Sequence, residues 1–225
     1  MVNRLFPLLL CLTLVSGIPF AQAEDVPSDM PLLFEDSFDK GMERWEPTCP
    51  EGWSVAKDGD RTILDLGKDC SYEPEVRSPV RIAWIKDLDV GDFVLDFEGR
   101  QTGREYGHRD MCLFFGKQDD SHFYYVHLAS VADDHANSIF LVNGEPRVSI
   151  AKKRTDGTKW SQGYHHIRVK RDVESGSIEV FFDDMDKPVM TTVDKHFSSG
   201  TIGLGSFDDE GHYDNVKIWG KSLKK

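Results

Sequence analysis

The stretch Gly91-Asp92-Phe93-Val94-Leu95-Asp96-Phe97-Glu98-Gly99-Arg100 decides the fold. Phe93, Leu95 and Phe97 fall on one side of an extended chain, and Val94, Asp96, Glu98 and Arg100 on the other. Successive side chains of a strand point to opposite faces, so a period of two marks a half-buried strand. Phe93, Leu95 and Phe97 are too apolar to be exposed together and belong to a core, which turns Glu98 and Arg100 outward.

The same alternation recurs on both sides of this segment. Ile167 and Val169 alternate with His166, Arg168 and Lys170, and Ile178, Val180 and Phe182 with Glu179, Phe181 and Asp183. Asp172 to Gly176 reads as the hairpin turn between them, Asn143-Gly144-Glu145-Pro146 as a second and Asp58-Gly59-Asp60 as a third. Met111 to Phe115 and Phe123 to Leu128 are near-continuous apolar runs, expected for central strands. In the latter, Tyr124, Val126 and Leu128 are the more apolar set, which turns Tyr125 and His127 outward. If both strands share a sheet, Glu98, Arg100, Tyr125 and His127 line one groove. No long helical periodicity, fixed-period repeat or low-complexity linker interrupts the pattern. Short strands joined by Gly and Asp turns predict an all-β, two-sheet sandwich or barrel, one domain over residues 24–225.

Residues 1–23 read as a signal peptide. Arg4 is followed by an apolar stretch from Leu5 to Ile18 and then by Ala21-Gln22-Ala23, a small-residue cleavage pattern. The apolar stretch is shorter than the about 20 residues needed to cross a bilayer. Leu10 before Cys11 does not suit lipidation. The expected location is secreted or periplasmic, with no membrane attachment after cleavage.

The chain carries 27 Lys+Arg against 39 Asp+Glu, a formal charge of −12, which disfavours nucleic acid as a partner. Of the cysteines beyond the leader, Cys49 and Cys70 flank the Trp53 to Leu66 hairpin and are expected to pair, and Cys112 in an apolar strand is expected to be a buried thiol. Asp208-Asp209-Glu210-Gly211-His212 matches no zinc or EF-hand spacing and reads as a solvated loop, and Lys152-Lys153-Arg154 as a basic turn.

The two ends carry a more specific signal: Leu33-Phe34-Glu35-Asp36-Ser37-Phe38-Asp39-Lys40-Gly41 with Trp45, and Gly200-Thr201-Ile202-Gly203-Leu204-Gly205 with Tyr213-Asp214-Asn215-Val216-Lys217-Ile218-Trp219. Together they resemble the concanavalin A-like lectin/glucanase superfamily, and within it secreted laminin-G-like and 3-keto-disaccharide hydrolase-type domains. The resemblance implies a jelly-roll sandwich with its first and last strands side by side. It also implies a structural calcium between them, with Asp36 and Asp214 at the matching positions; calcium takes about 6–8 oxygen ligands. The paired carboxylates of family 16 glycoside hydrolases are missing: in Arg109-Asp110-Met111-Cys112-Leu113-Phe114-Phe115-Gly116, Arg109, Met111 and Leu113 stand where they are needed.

The resemblance implies a glycan or oligosaccharide partner. The candidate binding residues are Glu98, Arg100, Tyr125, His127, His166 and Arg168, with loop Trp160 as a stacking lid. A second reading is a glycosidase or polysaccharide lyase acting on modified sugars through His127 and Tyr125. A third is an adhesion or structural module without sugar. Nothing in the sequence sets an oligomeric state or says which sheet is concave.

Overall fold

The computed structural model describes residues 26–223 apart from Ser28; the expected signal peptide lies outside the described residues. Along the chain come β1 (Leu32–Asp36), β2 (Trp45–Pro47), β3 (Trp53–Asp58), β4 (Arg61–Leu66), β5 (Arg81–Ile85), β6 (Val90–Gln101), β7 (Asp110–Asp119) and β8 (His122–Ala129). They are followed by β9 (Ser138–Asn143), β10 (Val148–Ser149), β11 (Lys153–Arg154), β12 (His165–Arg171), β13 (Ser177–Phe182), β14 (Met190–Val193), β15 (Thr201–Ser206) and β16 (Gly211–Ser222). A short 3-10 turn over Pro50–Gly52 is the one helical element among the described residues.

The strands form two antiparallel sheets. One has nine strands in the order β11-β14-β13-β12-β6-β16-β4-β3, with β1 also pairing with β16. The other has seven, β10-β9-β8-β7-β15-β5-β2. The first and last strands lie side by side, Phe34 opposite Ile218 and Asp36 opposite Val216. The expected hairpins are present: β3 with β4, β9 with β10, β12 with β13. Gly59 and Gly176 turn two of them at φ of 63° and 80°, a region that side chains with a Cβ rarely enter.

The inter-sheet core takes Phe93, Leu95 and Phe97 from β6, Ile167 and Val169 from β12, and Tyr124, Val126 and Leu128 from β8. The parity read from the sequence therefore holds on both strands. What does not hold is the shared groove. Strand β6 belongs to the nine-stranded sheet and β8 to the seven-stranded one, so Glu98 and Arg100 face away from Tyr125 and His127, on opposite sides of the sandwich. Nor is Tyr125 exposed. The outer face of the seven-stranded sheet carries a second apolar cluster of Ile82, Trp84, Cys112, Phe114, Phe123, Tyr125, Phe140 and Val142. Strands apolar on both sides are buried on both sides, which the unbroken runs in β7 and β8 already implied.

A disulfide joins Cys49 to Cys70, and Cys112 is a buried free thiol. Cys70 anchors the segment 67–80 across the outer face of the seven-stranded sheet. Ser71 N and Oγ donate to Glu51 Oε1 at 2.8 and 2.6 Å, Arg77 O accepts from Arg147 N, and Val76 packs on the second cluster.

Candidate functional site

On the outer face of the nine-stranded sheet the charges answer one another. Arg168 Nε and Nη2 grip Asp96 Oδ1 and Oδ2 at 2.6 and 2.7 Å, and both residues are about 1% exposed. His166 Nε2 stands 3.3 Å from the same carboxylate. Arg61 pairs with Glu98 and, at 2.8 Å, with Asp214. Arg100 pairs with Asp58, which also accepts from Tyr164 Oη at 2.7 Å. Glu98, Arg100, His166 and Arg168, expected to meet a ligand, are thus engaged by neighbours: Asp96 by Arg168 on the adjacent β12, an ordinary cross-strand pair, and Glu98 and Arg100 by Arg61 on β4 and Asp58 on β3, farther across the same face. Trp160 is no lid over this face. Its ring packs edge-on against His165 and Phe182, at 5.2 and 4.8 Å between centroids, at the margin of the inter-sheet core.

The expected calcium pair does not fit a cation either. Asp36 Oδ1 accepts from Phe38 N at 2.9 Å, holding that residue at φ 60°, and Oδ2 accepts from Trp45 Nε1 at 3.0 Å. Asp214 Oδ2 accepts from Arg61 Nη1 at 2.8 Å, so a cation already neutralises this carboxylate.

The opposite face holds a cavity of ≈ 230 Å³ lined by Arg77, Tyr106, His108, Asp110, His127, His135, Arg147, Phe207 and Asp208. Register builds it. Strands β7 and β15 are antiparallel neighbours, Cys112 opposite Gly205, so the loop entering β7 and the loop leaving β15 meet at one end of the sheet. The first brings Tyr106 and His108, the second Phe207 and Asp208. Cys112 also pairs with His127, so Asp110 and His127 meet at the floor with the buried Cys112 thiol behind them.

The floor is rigid. Asp110 Oδ1 accepts from Ser206 Oγ at 2.7 Å and Phe207 N at 2.9 Å, and Oδ2 lies 3.3 Å from His127 Nε2. Burial pushes the Asp110 carboxyl up, but His127 and these donors outweigh it and hold it below the usual carboxylate range. His127 Nδ1 accepts from Asn137 N at 3.4 Å, so both ring nitrogens are engaged. Tyr125 Oη accepts from Arg147 Nη1, and burial pushes its phenol far up. The Arg147 guanidinium lies over Phe207 at 4.2 Å and Phe140 at 4.8 Å. Tyr125 is therefore a support under Arg147, not a base in contact with a ligand.

The rim is less satisfied. Burial and the nearby Asp110 charge raise Asp208, and raise Asp209 to about 6. Among the described residues no donor reaches the Asp208 carboxylate, and no acceptor the Arg77 guanidinium, whereas Asp209 Oδ2 accepts from Tyr106 Oη at 2.6 Å and Asp110 N at 3.0 Å. The acidic segment is thus solvated at Asp208, as expected, but half-buried at Asp209 and Glu210 and continued into β16 by Gly211 and His212. Sequence reading found His127 and Tyr125 but missed Arg77, Tyr106, Asp208 and Arg147. Two loops dense in charged and aromatic residues, 104–109 and 207–212, carried the signal; strand order was needed to bring them together.

Three solved structures place this architecture. The carbohydrate-binding module CBM66 from Bacillus subtilis superposes with a TM-score of 0.54 at 17% identity, over 79% of this chain and 96% of that one. The winged bean acidic lectin, complexed with methyl-α-D-galactose, gives 0.55 at 14% identity, over 88% and 100%. The exoplasmic/lumenal domain of VIP36, in its Ca2+/Man3GlcNAc-bound form, gives 0.56 at 13% identity, over 87% and 92%. No protein-family model matches the chain. No curated protein matches it. The fold is the concanavalin A-like jelly roll, shared with lectins and carbohydrate-binding modules.

Proposed function

We propose that this chain is an exported carbohydrate-binding jelly roll whose sugar site is the cavity on the outer face of the seven-stranded sheet. One observation carries the reading: an unpaired carboxylate, Asp208, and an unpaired guanidinium, Arg77, face one cavity rimmed by the Tyr106 and Phe207 rings over a fixed floor. A sugar hydroxyl both donates and accepts, so a carboxylate and a guanidinium together satisfy it, and the rings cover the C–H face of a pyranose. The lectin and binding-module neighbours support this choice of ligand. Residues 1–23 support export, and an N-terminus at Glu24 in material recovered from the medium or periplasm checks it.

The test is a glycan array followed by calorimetry. Asp208→Asn and Arg77→Ala should each weaken binding by about tenfold to a hundredfold, the worth of a hydrogen bond to a charged group. Unchanged affinity in both variants would remove the site.

The calcium expectation passes to Asp110, Asp208 and Asp209, whose carboxylate oxygens lie within 4.8 Å of one another. Burial first, and then the Asp110 charge, raise Asp208 and Asp209, and a divalent cation would offset that second contribution. Bound there, the cation would offer sugar hydroxyls a Lewis-acid contact.

A glycosidase reading has one observation in its favour. Asp110 is held low and Asp209 is raised to about 6, and carboxyls pushed apart in this way serve acid and base roles elsewhere. Release of reducing sugar by the wild type, lost in Asp209→Asn with binding kept, would establish it.

A further inference from the structure

We infer that the site takes an oligosaccharide, not a single sugar, and that a second subsite lies across Tyr106, lined by Glu105, Gly107, Arg109, Ser130, Trp160 and Ser161. The inference rests on the glycan reading above and deepens it. This second cavity measures ≈ 330 Å³, and Tyr106 belongs to its lining as well as to that of the first. One ring is therefore the common wall of two adjoining depressions.

That wall is built to stay. Tyr106 Oη donates to Asp209, Tyr106 O accepts from Arg109 N at 3.2 Å, and Gly107 O accepts from Val131 N at 3.0 Å. At 39% exposure the ring still presents a face to solvent. Arg109 below it is buried, with Nε on Gln101 Oε1 at 3.0 Å, so the second cavity also has a fixed floor.

Size points the same way. Ligand pockets commonly hold about 300–1,000 Å³. The first cavity alone, at ≈ 230 Å³, falls short of that range, and the two together fall inside it. The chemistry of the second suits a neighbouring sugar: an indole, a phenol, two serine hydroxyls and the Glu105 carboxylate. Trp160 Nε1 carries no hydrogen bond, so the indole is held by its ring contacts alone. A chain of two or more sugars would lie across Tyr106 with one unit in each depression.

The experiment uses ladders of one to five units of cello-, manno-, fructo- and galacturono-oligosaccharides, titrated by calorimetry into the full mature chain. In the ladder that binds, affinity should rise by about tenfold or more over the shortest ligand when the chain becomes long enough to cross Tyr106. Trp160→Ala should abolish that gain and leave the shortest ligand's Kd unchanged. Because Trp160 touches the core, Ser130→Trp provides a second variant, filling the cleft from an exposed position, with the same expected loss. Affinity independent of length, or variants that weaken every length equally, would overturn the second subsite while leaving the first in place. Binding of none of the four ladders would sink both.

Discussion

Tyr106 Oη and Asp209 Oδ2, 2.6 Å apart, tie the loop entering β7 to the loop leaving β15. Burial, with the Asp110 charge beside it, raises Asp209 to about 6, so the native chain holds this proton more tightly than the unfolded chain, where an aspartate titrates near about 3.9. Between roughly pH 4 and 6 the unfolded state has lost the proton and the native state keeps it, so stability falls as pH rises through that window and levels off above it. Asp208, raised by the same causes, adds in the same direction. Asp209→Asn should flatten this slope. Melting curves from pH 4 to 7 should show the wild type losing several degrees relative to the variant; a difference constant with pH would contradict the raised carboxyl.

Arg168 should be a stability residue. Its removal leaves the buried Asp96 carboxylate without its bidentate partner, His166 Nε2 standing 3.3 Å away, and breaking such a pair costs about 3–5 kcal/mol. Arg168→Lys should recover part of that, because an ammonium cannot reproduce the two parallel hydrogen bonds. Urea unfolding measures both. Glycan affinity, taken where the variants are still folded, should be untouched; a loss would return the site to the nine-stranded sheet.

The disulfide should matter twice. A covalent link across 21 residues is worth about 3 kcal/mol in the chain-entropy model, and Cys49→Ser should lose it. The segment it anchors also carries Arg77 into the cavity, so reduction should weaken sugar binding at temperatures where the protein stays folded. Peptide mapping without reductant should find Cys49 bound to Cys70. Cys112, whose thiol burial pushes well up, should resist alkylation until the protein unfolds.

Much of this fold is legible in side-chain parity. The alternation in β6, β8, β12 and β13 assigns the inter-sheet core correctly because a strand has only two faces. Sheet membership is a different kind of fact. Nothing local in Phe93 to Arg100 or Phe123 to Leu128 says that β6 pairs with β12 and β16 while the β7–β8 hairpin joins the other sheet through β15, contacts separated by many tens of residues. That is why Glu98 and Tyr125, both outward by parity, end on opposite surfaces. Tyr125 exposes a second limit. Outward means away from one core, and here a second cluster under Arg147 and Val76 covers the outer face. Partnership was equally hidden: Asp214 reads as a calcium ligand until Arg61, far away in sequence, is seen beside it.

The last prediction concerns the acidic trio. Asp110, Asp208 and Asp209 converge, and of the three only Asp208 lacks a donor among the described residues, so it is the group with most to gain from a cation. A ligand that binds the native state alone stabilises it by mass action. Millimolar calcium at pH 7 should therefore raise the melting temperature over that in chelator. Asp208→Asn should abolish the rise, and Asp214→Ala, whose carboxylate already has Arg61, should preserve it. The rise should also shrink below pH 6, because protons then compete with calcium for Asp209. Superimposable curves in calcium and chelator would reject the cation and leave the carboxylates to sugar hydroxyls alone. A calcium effect that disappears in Asp214→Ala and survives in Asp208→Asn would instead restore the site between the first and last strands.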